Sequence, residues 1–230
     1  MHRSSLFFVS ATLFALPVAA QTYPAALAAA LDAPSDGPVY AYEMVYETAD
    51  IKAEGVVDAT RPEGERIIVT APAKSDWPEG FADGLEDLDR DADGDIWCNS
   101  LGVHVPSTVS LVEETPDRAI YSFTPNPEAD ADDTDKKVFR NLEATIEVDK
   151  ANPAILAFSM RAPKSFKPAM VARINTFDMT VSCARAPDGR TYVSDLRVDI
   201  SGSALGQAFN ESTRRTILRL LPAANPVRGE

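Results

Sequence analysis

The residues most able to do chemistry in this 230-residue chain cluster between positions 89 and 104. Asp89, Asp91, Asp93 and Asp95 alternate, with Gly94 at the sixth position of the run and Ile96 at the eighth. Alternating carboxylates around a turn-forming glycine are how an EF-hand loop gathers oxygen ligands on calcium. The twelfth position is Ser100, not the bidentate glutamate that pattern uses, and residues 95–98 read as a strand where a helix should follow. Two expectations therefore stand: calcium held by the four aspartates, or an acidic helix-to-strand turn built on Asp93-Gly94. No other cofactor is expected.

His104 is the single histidine beyond position 2, which excludes a multi-histidine zinc site. A catalytic triad would have to use it, yet Gly202-Ser203-Ala204-Leu205-Gly206 lacks the spacing of a nucleophile elbow. The carboxylates are too numerous to single out a glycosidase pair. Cys98 and Cys183 are the two cysteines, and they have no Cys-x-x-Cys spacing. In an exported chain an even count reads as a disulfide, and that bond would leave no thiol for catalysis. The expectation is a protein that is not an enzyme and has no catalytic residues.

The beginning of the chain suggests export. Met1-His2-Arg3 is followed by an apolar run over residues 6–16 and then by Pro17-Val18-Ala19-Ala20. This is the composition of a secretory signal peptide over residues 1–20, cleaved before Gln21. The run is too short to span a bilayer, and no second stretch of about 20 apolar residues follows. The expected mature chain, residues 21–230, is long enough for one domain with one core. It is expected in the periplasm, with full secretion also compatible.

The chain carries a formal charge of −13, which disfavours nucleic acid as a partner. The charge is uneven. Residues 21–135 hold 6 basic and 26 acidic side chains, whereas residues 136–230 hold 15 and 9. Such asymmetry marks either a surface for an anionic membrane or acidic partner, or strands of opposite charge lying side by side.

The periodicity predicts the elements that would position these groups. An Ala-rich helix is expected over residues 23–31. Turn residues follow, and then a half-buried strand with Tyr40, Tyr42, Met44 and Tyr46 on one face. Strands follow over 51–60 and 66–70. An amphipathic helix over 77–90, capped by Ser75 or Asp76, carries Phe81, Leu85 and Leu88 on one side. A hairpin is expected over 107–123 and a polar loop over 125–137. Four further strands are expected over 139–148, 155–161, 170–184 and 191–201. Gly202 and Gly206 suggest a bulge or bend, and residues 214–221 read equally as strand or helix. The sum is an α+β domain with a large curved antiparallel sheet.

A single curved sheet must cover its inner face with something apolar. The candidates are Tyr40, Tyr42, Met44, Tyr46, Phe158, Met160, Phe177 and Met179, as a ligand surface or as ordinary core.

Residues 55–72, running from Gly55 through Arg61-Pro62 to Pro72, resemble the second and third strands of the LolA-like periplasmic lipoprotein-carrier family. Asp93-Gly94-Asp95-Ile96-Trp97 resembles that family's next turn and strand. Ile67 stands where the family has an aromatic, and the acidic helix over 77–90 and the cysteine pair are additions to the family pattern. The resemblance implies an incomplete β-barrel lidded by short helices, with acyl chains of lipids or lipoproteins carried in its cavity. It also implies that Arg61 bonds carbonyls of the lid. The expected function is thus a carrier of an acyl chain, lipid or lipoprotein, with the basic C-terminal half facing anionic head groups. The alternative is an envelope protein-interaction module whose sheet is filled by its own side chains and whose acidic loop is steadied by calcium.

Overall fold

The computed structural model describes residues 23–221. The expected signal peptide lies outside them. No described helix is long and apolar enough to cross a membrane. Eleven antiparallel strands dominate: β1 Tyr42–Glu47, β2 Lys52–Val57, β3 Ile67–Ala71, β4 Ser110–Glu114, β5 Arg118–Phe123, β6 Glu143–Asp149, β7 Ala154–Arg161, β8 Phe166–Ala169, β9 Ala172–Arg185, β10 Thr191–Ala204 and β11 Gln207–Leu220. Among the described residues three α-helices accompany them: α1 Ala25–Leu31, α2 Phe81–Asp91 and α3 Asp133–Phe139.

The sheet runs β3-β2-β1-β11-β10-β9-β7-β6-β5-β4, with β8 on the free part of β9. Strands β3 and β4 are its two edges and do not pair, so the sheet is not closed. The expected α+β class with one large antiparallel sheet is therefore present.

One half of the covered face is packed solid. Leu27 and Ala30 of α1 and Val105 sit against Tyr121, Ile146, Val148 and Phe158 of the β5–β7 region. Burial of such side chains contributes roughly 1.5–3 kcal/mol each and fixes this half as core. The Cys98–Cys183 disulfide, with Cα atoms 6.3 Å apart, ties the segment beside that core to β9. Such a bond fits a protein of an oxidising compartment.

Several local expectations are corrected. Residues 95–98 form no strand: Trp97 makes one isolated bridge to Tyr192, and a 3-10 helix occupies Cys98–His104. The cause is Asp95, whose carboxylate accepts from Trp97 N–H at 3.3 Å and Ser100 Oγ–H at 2.8 Å, turning the chain out of extended geometry. Helix α2 begins at Phe81, behind Gly80 in a left-handed conformation (φ 78°), because Ser75 and Asp76 are used in a separate 3-10 turn. The polar loop over 125–137 contains the start of α3, capped by the Asp132 carboxylate on Thr134 and Asp135 N–H. Residues 214–220 are strand.

Gly202 does sit at a bulge: the register with β9 shifts between Ser201 and Gly202. A Cβ there would lie 2.2 Å from the Arg173 carbonyl oxygen, so only glycine fits.

Charge pairs join neighbouring parts of the sheet. Glu43 meets Arg219 at 2.5 Å and Lys150 meets Glu114 at 2.6 Å. Acidic residues of the first half thus lie beside basic residues of the second, which accounts for part of the uneven charge.

Candidate functional site

The second half of the covered face is hollow. A cavity of about 600 Å³ lies between the sheet and the segment running from α2 through residues 92–104. That volume is in the usual range of about 300–1,000 Å³ for small-molecule pockets. Its floor comes from alternate residues of neighbouring strands: Tyr42 and Met44 of β1, Met179 of β9, Leu196 of β10 and Ile217 of β11. The period-two arrangement of strands puts these side chains on one face. Leu88 of α2 and Ile96 and Leu101 of the following segment form the roof. Val181 lines the cavity and belongs also to the solid core, so the hollow and packed halves are continuous.

The wall is mixed in polarity. Asp91, Asp93, Asp95 and Glu128 contribute carboxylates and Arg215 a guanidinium. Among the described residues Arg215 forms no ion pair. Burial raises the Tyr42 hydroxyl above its ordinary pKa, with Arg215 opposing the rise and Asp93 adding to it.

The roof is fastened at one end. The buried Asp89 carboxylate, 4 % exposed, accepts from the N–H of Gly64 and of Ile67. Arg66 donates from Nη1 to the carbonyls of Asp89 at 3.4 Å and Arg90 at 3.1 Å. The Asp89 carbonyl also accepts from Ala92 N–H at 3.2 Å, and the Arg66 bonds serve the last carbonyls of α2 and join the helix to the β2–β3 turn. At its other end α2 rests on aromatic contacts: Phe81 lies 5.0 Å from Trp77 and 6.4 Å from Tyr46.

The site residues expected from sequence are distributed unevenly around this cavity. Tyr42, Met44 and Met179 line it. Tyr46 lies beside it, in a narrow recess beneath α2 with Phe81 and Leu85. Tyr40 belongs to a separate cluster with Trp97. Phe158 and Met160 are buried in the solid core, and Phe177 packs against that core. Arg61 bonds no carbonyl of the covering helix. It forms an exposed pair with Glu65 at 3.3 Å, and Arg66, five residues on, makes the carbonyl bonds expected of it.

The four aspartates do not converge. Asp89 turns to the β2–β3 loop, Asp95 serves Ser100, and Asp91 and Asp93 face the cavity. Among the described residues no group of three or more His, Cys, Asp or Glu is placed to hold a metal ion. His104 pairs through Nδ1 with the Asn126 carbonyl at 3.0 Å, and its ring stacks on Phe139 at 5.4 Å.

Sequence reasoning missed Arg66, Leu196, Arg215 and Ile217. The alternation of Leu196 with Arg197 is the available signal for the first of the strand residues; Arg215 and Ile217 share one face at i, i+2. The strand-or-helix ambiguity over 214–221 left the facing of the last two undetermined. Comparison with known proteins finds no matching family model, no matching curated protein and no matching solved structure.

Proposed function

We propose that this protein is a non-enzymatic carrier or binding protein that holds one acyl chain, of a lipid or of a lipoprotein, in the cavity beneath α2. The observation that carries the reading is the hollow itself: one half of the same sheet face is packed solid, while the other leaves about 600 Å³ lined by Tyr, Met, Leu and Ile. Met and Tyr adapt to a flexible chain, and each buried ligand CH₂ contributes roughly 0.8 kcal/mol. An unclosed antiparallel sheet covered by a short helix also agrees with the LolA-like resemblance, and we propose the periplasm as the place of action.

An acyl-chain dye that brightens in apolar surroundings tests this. Its emission should rise on mixing with the protein, and Ile217→Trp, which fills the floor, should abolish the rise while leaving the circular dichroism spectrum intact. An equal rise with Ile217→Trp would place the ligand elsewhere and defeat the reading.

A further inference from the structure

We infer that the turns ending β8–β9 and β10–β11 form a docking tip for an anionic lipid bilayer, independently of what the cavity holds. Strands β9, β10 and β11 are each 14 residues long. Their neighbours are shorter: β7 reaches β9 only as far as Arg161↔Asp178, and β1 reaches β11 only as far as Glu47↔Arg214. Residues 172–177, 200–204 and 207–213 therefore run on past their neighbours in the sheet as an arm paired only with β8, its base resting on the core through Phe166 and Ile174. At its end the two turns are held together, with Ala204 opposite Ala172 and Leu205 N–H donating to the Val171 carbonyl at 2.9 Å.

The arm ends in bare apolar side chains. Met170 is 96 % exposed, Leu205 80 % and Val171 58 %, and the first two are the most exposed large apolar residues of the described chain. Leu205 is also in an unfavoured backbone state. It has φ 52° and precedes Gly206 at φ 85°, a two-residue turn that ordinarily takes Asn-Gly. It is the one described non-glycine residue with positive φ. A leucine placed there keeps an apolar group at the tip despite backbone strain, which is the kind of outlier that points to use.

Charge selects the partner. Residues 162–177 and 200–210 contain Lys164, Lys167 and Arg173 and no carboxylate, in a chain of net −13; the arm's one carboxylate, Glu211, stands opposite Ile200 at its base, away from the turns. None of the three cations forms an ion pair among the described residues; Arg173 donates only to Ser165 Oγ at 3.2 Å. Lys167 and Arg173 share a shallow cleft with Met170 and Leu205. Aliphatic groups beside two unpaired cations, Lys167 and Arg173, match the boundary between acyl chains and anionic head groups. Two adjacent turns offer too little area for a stable protein interface, which takes roughly 1,000 Å² or more. The acidic remainder of the molecule would be repelled by the same bilayer, so the arm approaches end-on.

Co-sedimentation with vesicles tests the inference, using the protein in the form the cell produces. Phosphatidylcholine vesicles containing about one third phosphatidylglycerol should bind it, pure phosphatidylcholine should bind it weakly, and salt should weaken the first. The charge-reversed K167E/R173E should lose roughly tenfold or more of the anionic-vesicle binding. M170S/L205N should also lose it while staying folded, since Asn suits the left-handed position. The cavity variant Ile217→Trp should bind vesicles like the parent, which separates this tip from the ligand site. Binding unchanged in both tip variants would overturn the inference. So would no preference for anionic vesicles, or a dimer of the parent that M170S/L205N dissolves.

Discussion

The Arg190 guanidinium lies flat against the Trp97 ring, 3.4 Å from its centroid. The same group donates to Asp188 Oδ2 from Nε at 2.9 Å and from Nη2 at 2.6 Å, to the Ser35 carbonyl at 2.7 Å and to the Pro38 carbonyl at 2.6 Å. One buried side chain thus joins the segment after α1, the segment before the 3-10 helix and the β9–β10 turn. Gly37 makes room for it, since a Cβ there would sit 2.7 Å from the guanidinium carbon.

Arg190→Leu should therefore lower unfolding free energy by about 1–3 kcal/mol, because two carbonyls and the partly exposed Asp188 carboxylate lose their donor. Arg190→Lys should recover less than half of that, since a point charge cannot serve three acceptors while stacking on an indole. Urea midpoints for the three proteins give the comparison.

Acid should loosen this clamp. The hydrogen bonds from Arg190 hold the Asp188 carboxyl below the usual aspartate range, against the opposing effect of burial. A carboxyl lowered on folding contributes stability that is present above its unfolded pKa of about 3.9 and fades as pH falls through the folded value. Asp188→Asn should flatten the loss of stability below about pH 4. A melting-temperature series from pH 7 to pH 3 in both proteins reads the difference.

The C-terminus of α2 should depend on Asp89 and Arg66, and not on Arg61. Asp89→Ala leaves two inward N–H groups without their acceptor and should cost about 1–3 kcal/mol. Arg61→Ala removes an exposed pair with Glu65 and should cost less than about 1 kcal/mol. Hydrogen exchange gives the finer reading. Amide protection over residues 81–91 should fall in Asp89→Ala and Arg66→Ala and stay at the parental level in Arg61→Ala.

Removing the disulfide should destabilise the chain strongly. Cys98 and Cys183 close a span of 85 residues, which constrains the unfolded state by about 4 kcal/mol in the chain-entropy model. The double variant to serine should lose stability of that order, and reductant should reproduce the loss in the parent. Thermal unfolding with and without dithiothreitol measures both.

The strands were legible where side chains alternate between core and solvent, as in Tyr42 to Tyr46 and in residues 155–161. Period-two patterns survive into the fold because one face is covered. The 95–98 segment was misread because Asp95 redirects the backbone through its side chain, a local choice that hydropathy does not encode. The start of α3 was hidden by the polarity of its own capping residues. Alternation puts Phe158 and Met160 on the covered face, whereas Tyr40 stands before β1 begins and packs with Trp97 instead. Which stretch of a covered face is packed and which is hollow depends on what lies across from it. Here that is α1 opposite β6 and β7, and α2 with its following segment opposite β1, β10 and β11. The lid role expected of Arg61 comes from the LolA-like resemblance of its Arg-Pro turn. Arg66 holds the helix because it stands at the entry to β3, where its guanidinium reaches the last carbonyls of α2.

Native mass spectrometry of the protein purified from its producing cells, followed by solvent extraction, tests the central claim most directly. A fraction should carry one adduct of acyl-lipid mass, lost on extraction, restored by incubation with phospholipid or acylated peptide, and absent in Ile217→Trp. A clean unliganded mass that stays unchanged after such incubation would contradict it and leave the cavity without the cargo assigned to it.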